Sequence, residues 1–393
     1  MSERARIGRL LALAGLAVLL SAFDGSVLYL ALPTISAQFH ARLPALSTLG
    51  SVVTLGALGA LPLSALADRH GRRRLLVLGV AGFGLADLAS AFAPQLAWLA
   101  GFRLAGACFE ALVGGVATAL VIEEVPVRHR GLALAWLALA AGLGAGATTL
   151  GYPLVAPHWR WLYLAGGAGL PAAGALWAGL PEGRTWARAA AGTSFLVPLR
   201  LLWTPPWRRR LAVFMSAAAL GSVFYEPAGL FVALFGSRHL ALGAAAISEI
   251  VLASGVAAGA GFLAGGPLSD RIGRRVPGIA VALGTAVLTA GGFVAGVPGY
   301  LAGNVGGSLL AGAAGPIFGA WFAELLPTRG RATAEGALGV AGAAGGIAGL
   351  QLVGLMTRGG GLGASVAVLG VLALAGALLY LALPESAGRP LPE

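Results

Sequence analysis

The chain is poor in charge. Only 10% of its 393 residues are Asp, Glu, Lys or Arg, while 58% are hydrophobic and the mean hydropathy is +0.86. A soluble globular domain carries roughly 25% charged residues. A water-soluble enzyme of this length is therefore excluded, because its surface would lack the charge to stay dissolved. Cysteine is nearly absent, and Cys108 alone can form neither an internal disulfide nor a cysteine-based metal cage. Lysine is missing altogether. The 26 basic residues are all arginine, and they give a net charge of +11. They lie in short clusters between apolar runs, so the membrane surface explains them better than nucleic acid does. Glycine is abundant instead. The 63 glycines and 21 prolines follow no G-X-Y period, which excludes collagen and suits closely packed membrane helices. The composition is that of an integral membrane protein.

A spanning helix needs roughly 20 apolar residues. Twelve such runs are present, at 8–33, 46–67, 74–93, 95–122, 131–156, 160–180, 210–235, 244–267, 276–297, 299–322, 332–356 and 362–383. None shows the alternating polarity of β-barrel strands. The first run follows Arg4, Arg6 and Arg9 as a signal peptide would, but eleven further spans make it an uncleaved first helix. With the N-terminus inside, twenty-one arginines fall in cytoplasmic segments and only Arg42, Arg160, Arg238 and Arg358 in outer ones. That asymmetry places both termini in the cytoplasm. Arg103 is left over, inside the fourth span.

The sequence repeats itself. Ala67-Asp68-Arg69-His70-Gly71-Arg72-Arg73 returns as Ser269-Asp270-Arg271-Ile272-Gly273-Arg274-Arg275, a shift of 202 residues. Glu124-Val125-Pro126 with Arg130 and Gly131 returns as Glu324-Leu325-Leu326-Pro327 with Arg331, and Leu180-Pro181-Glu182 returns as Leu383-Pro384-Glu385. The expected fold is an all-α membrane protein of twelve transmembrane helices in two six-helix bundles, residues 1–183 and 209–393, joined by a cytoplasmic linker at 184–208. Parallel halves of this kind place a substrate cavity between them near the midplane.

On these motifs the chain resembles a transporter of the major facilitator superfamily over its whole length. The motif after the eighth span is complete, with Gly266, Asp270, Arg271, Gly273, Arg274 and Arg275; the first copy has Ser64 in place of its leading glycine. The Glu-x-x-Pro segments and the tail Leu383-Pro-Glu385-Ser-Ala-Gly388-Arg389 resemble the sugar and organic-acid symporter branches. Asp24-Gly-Ser-Val-Leu-Tyr-Leu-Ala-Leu-Pro33 is instead similar to the first-helix signature of drug:proton antiporters. The resemblance implies cytoplasmic latches. In these, Asp68 and Asp270 meet a helix N-terminus of the opposite half, Arg69, Arg72 and Arg73 meet Glu124, and Arg271, Arg274 and Arg275 meet Glu324. Arg130 and Arg331 belong to the same gating set. The alternative is that these arginines only fix topology.

Carboxylates inside spans are costly, so each asks for a reason. Asp24 lies fifteen residues beyond Arg9, about 22 Å along a helix. Glu226 lies 202 residues further on, at similar depth in the seventh span, beside Tyr225 and Pro227. The pair can carry a proton on two helices that face the cavity. Otherwise Asp24 is a hydrogen-bonded structural group and Glu226 a vestibule residue. In the fourth span Arg103 and Glu110, seven apart, share a face but are too distant to pair directly. Asp87 reaches a depth comparable with Arg103 in the preceding helix, which predicts a buried bridge; that bridge reads equally as a substrate or proton site or as a structural pair. Asn304 can bind a substrate or bridge two helices, Trp321 can line the cavity or anchor at the interface, and Gln351 completes the candidate binding residues.

Four functions compete. A proton-coupled carrier of a small organic molecule fits the loops, and a proton-driven exporter of amphipathic compounds fits the first helix. A membrane-embedded enzyme lacks any His-Glu-x-x-His, Gly-x-Ser-x-Gly or phosphate-binding loop. A channel has no need of duplicated latches. The expected partners are a small-molecule substrate, the proton and the lipid bilayer, acting on a single copy with no metal and no cofactor.

Overall fold

The computed structural model describes residues 3–59, 71–180, 202–205, 207–327, 330–357, 359 and 361–387. Among these there is no strand. The helices are α1 (Glu3–Gln38), α2 (Leu43–Leu58), α3 (Arg72–Ala91), α4 (Leu96–Glu124), α5 (Arg130–Val155), α6 (Arg160–Gly166), α7 (Gly169–Gly179), α8 (Trp207–His239), α9 (Ala244–Ile272), α10 (Arg275–Gly291), α11 (Gly296–Leu301), α12 (Gly307–Leu325), α13 (Arg331–Met356) and α14 (Leu362–Leu379). A π-helical turn, Ala302–Gly306, joins α11 to α12. Among the described residues, nine stretches are long and apolar enough to cross a membrane, and Leu43–Leu58 and Arg275–Gly291 are shorter apolar helices. The sixth expected span is built from two pieces, α6 and α7, which break at Gly166–Gly169. Each of the twelve expected runs is helical over most of its described residues. Large apolar side chains stand on the outside, among them Leu154 (84% exposed) and Leu263 (76% exposed), as a lipid-facing surface requires.

The chain forms two compact units, residues 1–41 with 52–192 and residues 42–51 with 193–393. Within the first, α1 packs along α5, α3 along α4, and α7 along α3. Within the second, α8 packs along α13, α10 along α12, and α14 along both α8 and α10. The same helix pairs therefore recur at the repeat distance. Small residues allow this. A Cβ on Gly144 of α5 would run into the Leu19 carbonyl of α1, and one on Gly349 of α13 would run into the Val223 carbonyl of α8. Most of the linker expected at 184–208 lies outside the described residues.

The two motif turns match in backbone conformation as well as in sequence. Gly71 has φ 93° and Gly273, 202 residues later, has φ 92°. With ψ of 142° and 176° both lie in the extended positive-φ region, which is essentially confined to glycine and costs other residues about 1–3 kcal/mol. At Gly273 an added Cβ would also lie 2.6 Å from a Glu385 oxygen. Gly273→Ala should lower the thermal unfolding midpoint in detergent by several degrees, and an unchanged midpoint would contradict this account of the turn.

Candidate functional site

The first unit holds a buried ionic cluster at the meeting of four helices. Arg103 lies in α4, two turns from Glu110 on the same face. Its side chain is 2% exposed, and Asp24 of α1 and Asp87 of α3 are fully buried. The guanidinium takes one carboxylate on each side, with Nη1 2.6 Å from Asp87 Oδ1 and Nη2 2.7 Å from Asp24 Oδ1. The bridge expected between Asp87 and Arg103 is thus present. The contact with Asp24 was not foreseen. Below the guanidinium, 5.1 Å from its carbon, lies the ring of Tyr163 in α6, which meets Trp159 edge-on. Such a cation–π contact is worth most where water is excluded.

Missing side chains make room for the charged ones. A Cβ on Gly25 would collide with the Glu110 carboxyl, and a Cβ on Gly166 would collide with that of Asp87. Gly106, one turn from Arg103, leaves its guanidinium free to swing across α4, where a Cβ would lie 3.1 Å from Nη1. Thr148 of α5 donates to the Phe23 carbonyl at 2.7 Å and fixes α1 beside Asp24. Ser21, one turn earlier, donates weakly to the Glu110 carbonyl at 3.4 Å. Glu110 therefore reaches the same stretch of α1 as Arg103 does. Asp24 and Asp87 share the Arg103 guanidinium, and the Glu110 carboxyl lies against the same stretch of α1 beside Gly25.

The candidates of the second unit do not gather in this way. Glu226 is half-buried in α8, with its methylenes against Gly346 of α13. Tyr225 beside it makes a long contact, 3.5 Å, to the Ala282 carbonyl. Gln351 donates to Ser51 at 2.8 Å. Asn304 sits in the π-turn and donates to the Tyr300 carbonyl of its own helix at 2.8 Å. Trp321 is fully buried and donates to the Pro384 carbonyl at 3.0 Å, within an aromatic cluster of Phe214, Phe318 and Tyr380. Its ring and its N–H are thus both engaged by neighbours in the same unit.

At the motif turns the ion pairs are partly those expected. Arg274 lies 3.1 Å from Glu324 and 2.6 Å from Asp270, one turn back in α9. Arg271 is exposed. Arg275 donates to the Leu381 carbonyl at 2.6 Å, Arg331 to that of Ala323 at 2.6 Å, and Arg130 to that of Val125 at 3.3 Å. A Cβ on Gly266 would just reach Pro316 of α12 at van der Waals distance. In the first copy Arg72 pairs with Glu123 at 2.9 Å, Arg6 of α1 pairs with Glu124, and Arg73 lies over Trp177, donating to its carbonyl. Asp68 and Arg69 lie outside the described residues.

The tail provides a fastening that the sequence did not announce. Partial burial pushes the Glu385 carboxyl up, but the backbone N–H groups of Ala387, Arg274, Arg275 and Ser386 outweigh this and hold it at about 2. Ser386 in turn donates to Glu324 at 2.6 Å. The turn after α9, Glu324 of α12 and the end of α14 are thereby tied together. Among the described residues, no His, Cys, Asp and Glu side chains gather in threes at metal-binding distance.

The sequence model of the Major Facilitator Superfamily matches residues 14–298. The chain belongs to that superfamily. It is similar to the gallate transporter of Pseudomonas putida, 30% identical over 70% of this chain and 68% of that protein. It is also similar to the methyl viologen resistance protein SmvA of Salmonella typhimurium, 36% identical over 36% of this chain and 29% of that protein. In fold it matches the crystal structure of a bacterial homolog of the human lysosomal transporter Spinster, with a TM-score of 0.79 and 17% identity over 96% of each chain. This superfamily member is a multi-pass membrane transporter.

Two outcomes follow for its charged clusters. Arg103→Met would leave Asp24 and Asp87 buried without their cation, which costs about 3–5 kcal/mol when one partner of a buried pair is lost. Detergent-solubilised protein should unfold at markedly lower temperature, and adding Asp24→Asn with Asp87→Asn should restore much of the loss; no drop in the single variant would refute the pairing. For Glu385 the folded carboxyl lies below its ordinary value of 4.5, so its stabilisation is complete above that pH and fades as the pH falls toward about 2. The melting difference between the parent and Glu385→Gln should be constant from pH 7 to pH 5 and shrink below about 4.5. A difference that grows on acidification would contradict the tail contacts.

Proposed function

We propose that this transporter is a proton-coupled symporter of a small organic solute, and that its coupling proton resides in the cluster around Arg103. One observation carries this reading: two carboxyls in the membrane-spanning part of the first unit, Asp24 and Asp87, share a single guanidinium, with a third carboxyl, Glu110, beside Gly25 of the same helix as Asp24. By charge counting, the cluster is neutral only when two of its carboxyls hold protons. Loss or gain of one proton therefore changes the charge buried among α1, α3 and α4. Such a change is large enough to bias one helix arrangement over another. In this reading Asp24 and Glu110 exchange the proton while Arg103 and Asp87 hold the frame. Glu226, Tyr225, Asn304 and Gln351 contribute to the solute site.

The wider machine follows the sequence. Two bundles, residues 1–183 and 209–393, joined by the linker at 184–208, alternate in opening a shared pocket to either side. Both termini lie in the cytoplasm, as the arginine distribution favours. The motif carboxylates and arginines, Asp270 with Arg274 and Glu324 above all, latch the cytoplasmic ends in one state. An aromatic carboxylate is the first solute to try, because a gallate transporter is a relative across most of the chain. A second reading, proton-driven efflux, rests on the higher identity of a shorter segment to SmvA.

The test is uptake into liposomes holding the purified protein, with an imposed pH step and an aromatic acid as solute. Asp24→Asn and Glu110→Gln should each lose at least tenfold in gradient-driven accumulation while keeping solute exchange at equal pH. If both variants accumulate solute as the parent does, the proton does not reside in this cluster. Glu226→Gln should weaken solute affinity with the pH response retained.

A further inference from the structure

The aromatic face under Arg103 is itself fixed by a chain of contacts within the first unit. Tyr163 and Trp159 are both fully buried. Their rings meet edge-on at 5.7 Å, and Trp159 Nε1 donates to the Gln38 side chain, at the end of α1, at 2.6 Å. Arg160 lies over the Trp159 ring at 4.5 Å and donates to the same Gln38 oxygen. Its other nitrogen reaches the Ala93 carbonyl, just past α3, at 2.7 Å. At the far end of α6, Gly166 lies so close to Asp87 that an added Cβ would collide with the carboxyl. The short helix is thus tied to α1 and to the end of α3 at its start and packed on α3 at its end, with Tyr163 between.

A ring held in this way cannot follow Arg103 if the guanidinium moves. It attracts the cation from a third direction, 5.1 Å away, while Asp24 and Asp87 take the two Nη atoms. The Tyr163 hydroxyl is buried and has no hydrogen-bond partner among the described residues, so the ring is the part of the side chain in use. The other ionisable groups on the surrounding helices are Glu110 of α4, beside Gly25, and Tyr152 of α5, which engages Thr34. We infer that Tyr163 is a positioning residue of the proton site: its ring, fixed through Trp159 and Gln38, holds the Arg103 guanidinium where it serves Asp24 and Asp87 together. This rests on the reading that the cluster around Arg103 carries the coupling proton. A guanidinium held less firmly favours the ionised carboxylates less, and they then keep a proton to higher pH.

Infrared difference spectroscopy of the full chain in detergent tests this by following the C=O stretch of protonated carboxyls through a pH titration, with no solute required. The parent should show a titrating band that Asp24→Asn or Glu110→Gln removes. Tyr163→Leu should raise the midpoint of that band by about 0.5–1 pH unit, the size of a cation–π contact shielded from water. Tyr163→Phe, which keeps the ring, should leave the midpoint in place. Gln38→Leu alters an exposed side chain, frees the Trp159 N–H and should raise the midpoint by less. Melting curves identify variants that remain folded, and Gln38→Leu provides the readout should Tyr163→Leu unfold. An unmoved midpoint in folded Tyr163→Leu (or in Gln38→Leu if the former is lost), or an equal rise in Tyr163→Phe, would overturn the role of the ring. A parent with no band that the carboxyl variants remove would instead overturn the proton site on which the role depends.

Discussion

The first unit depends on the position of Arg103. A lone guanidinium away from water is among the most expensive groups a membrane helix can carry. Here its cost is offset by two carboxylates at 2.6 and 2.7 Å and by an aromatic face at 5.1 Å. These partners come from three other helices, α1, α3 and α6, so satisfying the one charge fixes where those helices can lie. The glycines at 25, 106 and 166 are consequences of the same demand, since a methyl group at each would press on one of the charged side chains. An ionic core of this kind also contains a built-in conflict: its carboxyls outnumber its cation. Structural stability and a capacity to exchange protons thus come from the same few atoms.

The second unit repeats the frame, but its described polar residues are spread rather than gathered. α8 and α13 pack as α1 and α5 do, again through glycines pressed onto carbonyls, and Glu226, at the position equivalent to Asp24, lays its methylenes against Gly346. Polar groups there are spread along the helices: Asn304 in a π-turn, Gln351 on Ser51, Tyr225 near α10. The duplicated ancestor implied by the motifs has diverged most in its interior and least at its turns. At the turns, Gly71 and Gly273 keep the same positive-φ backbone, which other residues rarely adopt.

Much of this was legible in the residues themselves. Apolar runs located the long helices among the described residues, since hydropathy is a property of each segment alone. Counting depth from the ends of α3 and α4 was enough to pair Asp87 with Arg103, because antiparallel neighbours joined by a short turn share a depth scale. The contact of Asp24 with Arg103 escaped that method. It depends on how α1 is rotated and on which helices are its neighbours, and neither is written in one segment. Tyr163 escaped for the same reason, and the break between α6 and α7 was hidden inside an uninterrupted apolar run. In the loops, the motif predicted Arg274 on Glu324. The engagement of Glu385 and Ser386 draws on backbone N–H groups, which leave no mark in a sequence. Arg6 on Glu124 and Arg72 on Glu123 show that neighbouring charges of like type can share the partners a motif suggests.

The claim that proton and solute move together through this protein is tested most directly without any imposed gradient. Liposomes carrying the purified transporter, weakly buffered and loaded with a pH-sensitive dye, would be given an aromatic carboxylate outside, with protein-free liposomes as the baseline. The account predicts acidification of the lumen that begins with solute entry and scales with it. Protein-dependent solute entry with no accompanying pH change would contradict it.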